Sequence, residues 1–115
     1  MHELSIAGAV VDTALRHAED RRVLLVTLRV GQLRQVIPDS LAFYFEIVSR
    51  DTLVEGARLE QVVVPVRMRC DDCAHEWEPD VMFRCPECDG VGEVLAGDEL
   101  EVDSIEVEEG SECIA

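Results

Sequence analysis

Four cysteines are the residues of this sequence best placed to do chemistry. They form two Cys-x-x-Cys pairs, Cys70 with Cys73 and Cys85 with Cys88, separated by eleven residues. Two thiolates spaced in this way can bind one ion from a tight turn, and two such turns complete the tetrahedral sulfur site that zinc prefers. Because four sulfur ligands leave no open coordination position, the spacing predicts a structural zinc ion in a zinc-ribbon module.

Other interpretations of paired cysteines are weaker here. A redox Cys-x-x-Cys motif is normally single and lies at the start of a helix after a strand, which is not the pattern observed. A rubredoxin-like iron centre would use the same four thiolates, and the sequence favours zinc without excluding iron. We expect His75 on the surface or beside the ligands, Trp77 and Phe83 in the small core of the ribbon, and Cys113 as a tail thiol.

The first three residues, Met1-His2-Glu3, form a compact chelating sequence. The α-amine and the His2 amide nitrogen close a five-membered ring on a metal ion, and the His2 imidazole closes a six-membered ring. A fourth donor can come from the amide or the carboxylate of Glu3. This planar, nitrogen-rich set suits Ni(II) or Cu(II). The alternative interpretation is an ordinary exposed histidine with no ligand role.

The spacing of apolar residues predicts the elements that hold these groups. Residues 3–20 have the periodicity of an amphipathic helix, and Pro38 begins a second helix that runs to about residue 50. Alternating apolar residues predict three strands, over residues 23–30, 58–66 and 99–107. In the last strand the apolar residues change parity between Val102 and Ile105, which indicates a bulge or a register break. We expect the acidic tail after Glu108 to be mobile.

These elements predict an α+β fold, with a small three-stranded sheet, two helices and an inserted zinc-ribbon module. Residues 1–66 are expected to form an α/β domain that the C-terminal segment 95–115 completes. Residues 67–94 are expected to form the zinc-ribbon domain, which needs its metal because so short a segment has little apolar core.

Composition narrows the classes of function. The 115 residues carry 25 acidic and 10 basic side chains, a net charge of −15, which argues against nucleic acid because phosphate binding needs clustered cations. No run of eighteen apolar residues predicts a membrane span, and no signal peptide is evident, so we expect a cytoplasmic protein. We find no Ser-His-Asp set, no phosphate loop and no open zinc position, and we therefore expect no catalytic residues and no enzyme.

The sequence resembles the HypA/HybF family of nickel metallochaperones of hydrogenase maturation. The resemblance extends in order over nearly the whole chain. It rests on the opening residues Met1 to Ser5 and on the cysteine pairs, together with segments 29–33, 36–38, 41–46, 55–60, 97–100 and 104–107.

The resemblance implies that Ni(II) binds at Met1 and His2, with Glu3 beside them, and that the four cysteines hold structural zinc. It also implies delivery of nickel to the [NiFe]-hydrogenase large-subunit precursor with a partner GTPase, HypB. Some members place a further histidine near the nickel, but His17 lies roughly 22 Å along the helix from His2. The fourth nickel donor therefore stays open, and the alternative function is a zinc-ribbon protein-interaction module without nickel transfer.

Overall fold

The computed structural model describes residues 3–79 and 83–115. Their elements form a four-stranded sheet with order β2-β1-β6-β7 and a three-stranded sheet with order β4-β3-β5. The elements are α1 (Glu3–His17), β1 (Val23–Gly31), a 3-10 turn (Gln32–Arg34), α2 (Pro38–Val48), β2 (Arg58–Val64), β3 (Arg67–Cys70), β4 (Glu76–Trp77), β5 (Gly92–Ala96), β6 (Leu100–Val107) and β7 (Gly110–Cys113). The predicted α+β class, with two helices and an inserted ribbon, is confirmed.

Both helices bury an apolar stripe against the larger sheet. The buried side chains of α1 recur at helical spacing, as expected for an amphipathic helix, and those of α2 are Leu41 and Phe45. They meet Val26 and Leu28 of β1 and Ile105 of β6 in one core. The first helix ends at His17, three residues before the predicted end.

The central strand β1 organises the larger sheet. It pairs in parallel with β2 and antiparallel with β6. Thr27 lies opposite Ser104 and Leu28 lies opposite Val102, so Asp103 is an extra residue in β6. This confirms the predicted bulge, which restores apolar side chains to the core on both sides of the break.

The larger sheet has one strand more than the three expected. Instead of a mobile tail, the chain after Glu108 turns through Glu109, whose φ is 68°, and returns as β7 along β6. The bulge carbonyl of Asp103 accepts hydrogen bonds from the Ile114 and Ala115 N–H groups at 2.9 and 3.0 Å. An acidic composition does not reveal such backbone pairing, which depends on the neighbouring strand.

Two short segments connect the sheets, and we call them the straps: residues 65–66 after β2 and residues 97–99 before β6. They touch where Gly97, at φ +108°, passes Val66; a Cβ on Gly97 would lie 2.6 Å from the Val66 Cα. The molecule is elongated, with extents of 54 × 26 × 16 Å. Within the described part of the chain, neither helix is long and apolar enough to cross a membrane.

Candidate metal centre

The four predicted cysteines converge at one end of the smaller sheet. Their sulfur atoms all lie within 4.8 Å of one another. The Cys70 and Cys88 sulfurs are 3.5 Å apart, and the Cys73 sulfur is 3.6 Å from those of Cys85 and Cys88. A tetrahedral zinc ion with Zn–S bonds of about 2.3 Å separates its sulfur ligands by about 3.8 Å. The donor set and its spacing therefore fit zinc.

The two cysteine pairs use the same backbone turn. In each pair the residue four positions after the first cysteine takes a left-handed conformation, Ala74 at φ 62° and Asp89 at φ 60°. The N–H of each of these residues donates to the carbonyl of that cysteine, Cys70 at 3.1 Å and Cys85 at 2.8 Å. This repeated geometry explains why the two pairs can face one another around one ion.

Backbone N–H groups also point at the sulfur atoms. The Cys73 and Asp72 N–H groups donate to the Cys70 sulfur, and the Cys73 N–H in particular lowers the pKa of Cys70 to about 7. The neighbouring Cys70 thiol raises the pKa of Cys88 to about 12, although the Gly90 N–H opposes this shift. Because Cys88 holds its proton at neutral pH, metal binding to this cluster must displace protons.

Burial divides the cluster into an inner and an outer half. Cys70 and Cys85 are each 2% exposed, whereas Cys73 and Cys88 face solvent. Gly90 lies against the cluster, because a Cβ there would be 3.1 Å from the Cys70 sulfur. With four thiolates around one ion no position is left for a substrate, so the centre can stabilise a fold but cannot perform catalysis.

The aromatic residues near the centre only partly follow the prediction. Trp77 is half-buried and lies parallel to the His75 ring, with centroids 6.3 Å apart, while Met68 opposite it is buried. Phe83 is 48% exposed, so its predicted place in the ribbon core is wrong. His75 lies outside the converging set, as expected, and its carbonyl accepts a hydrogen bond from the Cys70 N–H.

The predicted nickel residues are only partly covered by the structure. Met1 and His2 lie outside the described residues. Glu3 begins α1, and its carboxylate accepts a hydrogen bond from the Ile37 N–H at 3.5 Å. His17 lies at the opposite end of α1, with Nδ1 2.9 Å from the Thr13 carbonyl oxygen. The Glu3–Ile37 contact, between α1 and the residue before α2, joins residues distant in sequence and could not be predicted from either segment alone.

Comparisons with known proteins agree with this architecture. Residues 1–107 match the family model HypA, described as "Hydrogenase/urease nickel incorporation, metallochaperone, hypA". The hydrogenase maturation factor HypA of Geobacter metallireducens is 46% identical over 110 residues, covering 94% of this chain and 100% of that protein. The protein of the same name from Desulfitobacterium hafniense is 40% identical over 114 residues, covering 95% and 100%.

Solved structures support the fold. The solution structure of the nickel metallochaperone HypA from Helicobacter pylori superposes with a TM-score of 0.68 at 23% identity, covering 93% of this chain and 97% of that one. A second solution structure, of a HypA protein, gives a TM-score of 0.71 at 24% identity. The chain therefore belongs to the HypA family of hydrogenase/urease nickel incorporation metallochaperones, and it is a maturation factor rather than an enzyme.

Proposed function

We propose that this protein binds Ni(II) through Met1, His2 and Glu3 and delivers it to the [NiFe]-hydrogenase large-subunit precursor. The observation that carries the proposal is the closed four-cysteine centre in a protein of a nickel-incorporation family. A centre saturated by four thiolates holds its ion tightly and offers no position for exchange. Cargo nickel therefore needs a second site, and the terminal Met-His sequence supplies nitrogen ligands suited to Ni(II).

Zinc is the resident ion that we propose for Cys70, Cys73, Cys85 and Cys88. The sulfur separations of 3.5 and 3.6 Å suit a tetrahedral ion of this size. When bound, zinc supplies a cross-link between two turns that share little apolar core. The cysteines themselves provide the negative charge, and the backbone N–H groups aimed at sulfur disperse it.

For the fourth nickel donor we propose the amide nitrogen of Glu3 rather than its carboxylate. Glu3 is the first residue described in α1, and the first N–H groups of a helix have no partner within the helix. The carboxylate, in contrast, already accepts the Ile37 N–H. A chelate of terminal and backbone nitrogens can be exchanged stepwise, which suits an ion that must be released.

We assign the two proposed metal sites to different domains. We propose residues 1–66, completed by 95–115, as the nickel-binding domain, and residues 67–94 as the zinc-ribbon domain. A HypB-type GTPase is the proposed partner during delivery, within the hydrogenase maturation machinery to which the family belongs. The net charge of −15 favours a partner surface with complementary basic residues.

Calorimetry of untagged, zinc-loaded protein tests the nickel site. We expect His2→Ala to abolish measurable Ni(II) binding while zinc content and thermal stability stay unchanged, and His17→Ala to bind nickel like the wild type. Nickel affinity should also fall steeply below about pH 6, because protons then compete for the histidine. Unchanged affinity in His2→Ala would contradict the terminal site, and zinc without any nickel binding would favour the interaction-module function.

Delivery needs a separate experiment. Protein loaded with radioactive nickel is mixed with the purified large-subunit precursor, with and without the GTPase and GTP, and nickel in the precursor is counted after gel filtration. We expect faster transfer than from an equal concentration of buffered free Ni(II). Equal rates from both sources would show that the protein binds nickel without delivering it.

A further inference from the structure

We propose that Gln32 is a positioning residue that, with the backbone of residues 31–34, forms a latch fixing the angle between the ribbon and the four-stranded sheet. This segment, which contains the 3-10 turn after β1, contacts both straps. How the ribbon is attached to the four-stranded sheet does not depend on where nickel binds.

The first strap is held by the Gln32 side chain. The Val66 N–H donates a hydrogen bond to Gln32 Oε1 at 3.1 Å. Val66 is 5% exposed, Gln32 is exposed, and the hydrogen bond between them is part-buried. An N–H without an acceptor in such a place costs stability, and the Gln32 amide oxygen supplies that acceptor from 34 residues away in sequence.

The second strap is held by three hydrogen bonds to the same segment. The Gly31 N–H donates to the Glu99 carbonyl at 2.6 Å, and the Leu33 N–H donates to the Gly97 carbonyl at 2.8 Å. Arg34 donates from Nε to the Asp98 carbonyl at 2.7 Å. One short segment therefore contacts every residue of the 97–99 strap.

Glycine allows the close approach that these bonds require. A Cβ on Gly31 would lie 2.2 Å from the Gly97 carbonyl oxygen and 2.5 Å from the Glu99 nitrogen, both of them backbone atoms. No ordinary side chain fits at such distances. The straps and the latch are thus in direct backbone contact, with Gln32 reaching across to the other strap.

Little else holds the ribbon against the larger sheet. In residues 3–79 and 83–115, no ribbon strand packs extensively against a helix or strand of the four-stranded sheet or its helices. The angle between the two sheets therefore depends mainly on the two straps and on the contacts that the 31–34 segment makes with them. Such hydrogen bonds contribute modestly and can be exchanged with water, so the latch can open while both sheets stay folded.

Residual dipolar couplings and ¹⁵N relaxation of the full-length, zinc-loaded protein test the latch. In the wild type we expect one alignment tensor to fit the amides of both sheets. Gln32→Met keeps the side-chain length and removes the acceptor. In this variant one alignment tensor should no longer fit both sheets, and each sheet should require its own. Gln32→Glu retains an acceptor oxygen and should restore the single tensor.

Gln61→Met is the matched control, because the Gln61 side chain also bonds a backbone group, the Pro38 carbonyl at 2.9 Å, and that group lies in neither strap. It should keep the wild-type tensor. Arg34→Met removes the bond to Asp98 and provides a second test should Gln32→Met fail to fold; it should also separate the tensors. A single, unchanged tensor in a folded Gln32→Met protein, or in Arg34→Met where it must serve instead, would overturn the proposal.

Discussion

Gly90 lies directly against the sulfur of Cys70, so a methyl group there requires the cysteine sulfurs and the Asp72 carboxylate, 2.7 Å from the added Cβ, to shift. A Cβ at this position would be 3.1 Å from the Cys70 sulfur and 3.2 Å from the Cys88 sulfur. We predict that Gly90→Ala weakens zinc binding by at least about tenfold, because neighbours of metal ligands commonly contribute that much. Competition with a chromophoric chelator measures the affinity.

Gly8 of α1 is the control for this substitution. A Cβ at Gly8 would meet no atom within 4 Å. Gly8→Ala should leave zinc affinity unchanged and raise the free energy of unfolding by about 0.5–1 kcal/mol, because alanine restricts the unfolded chain and favours helix. Equal zinc affinities in the two variants would show that the ligand turns can shift to accommodate a methyl group at residue 90.

Removing the zinc should unfold the ribbon and leave the larger sheet intact. The ribbon strands are short, with four residues in β3 and two in β4, and such a module depends on metal for its folding energy. We expect a strong chelator to collapse the amide chemical-shift dispersion of β3 to β5, and to change Trp77 fluorescence, while α1, α2 and β1 keep their shifts. As a control, Cys113→Ser should bind zinc like the wild type, because Cys113 is not one of the four converging cysteines. Dispersed ribbon amides after complete zinc removal would contradict this prediction.

Two phenylalanines of α2 differ strongly in burial. Phe45 is 3% exposed and Phe43 is 59% exposed, although they lie two residues apart. Phe45→Ala should lower the free energy of unfolding by about 3 kcal/mol through the cavity that it leaves. Phe43→Ala should change it by less than about 0.5 kcal/mol. Urea titration followed by circular dichroism measures both, and equal losses would show that the exposed ring has a structural role.

The features that sequence analysis captured are local ones. Cysteine spacing predicted the metal cluster, because each pair lies within a single turn. The parity change between Val102 and Ile105 predicted the bulge, because alternation records which side of a strand faces the core. Each cysteine pair and the parity change can be recognised from a few neighbouring residues, without knowledge of contacts elsewhere in the fold.

The missed features depend on distant partners. The strand β7 forms because β6 offers it an edge and Asp103 accepts two N–H groups, whereas its own composition is that of an acidic tail. In the sequence Gln32 resembles any other polar turn residue, because its hydrogen bond with the Val66 N–H forms only in the folded chain. Apolarity alone predicts a core position for Phe83, but apolarity does not determine burial in a module with so little interior.

Glu99 should make stability depend on acidic pH. The pKa of its carboxyl is lowered from the ordinary value of 4.5, chiefly by its own N–H and by the Gly97 N–H, which donates to Oε1 at 2.7 Å; Arg29 adds an attractive charge. A carboxyl that is harder to protonate in the folded state stabilises the fold above its ordinary pKa. That contribution is lost as the pH falls through the lower, folded-state pKa.

We therefore predict that the melting temperature of the wild type exceeds that of Glu99→Gln at neutral pH and that the difference shrinks below about pH 4.5. Glutamine keeps an acceptor for the Gly97 N–H but has no charge, so the comparison isolates ionisation from hydrogen bonding. Glu101→Gln is the control, because Glu101 also pairs with Arg29, at 2.8 Å, yet lies outside the strap. A wild-type advantage over Glu99→Gln that stays constant from neutral to acidic pH would show that ionisation of Glu99 does not stabilise the strap.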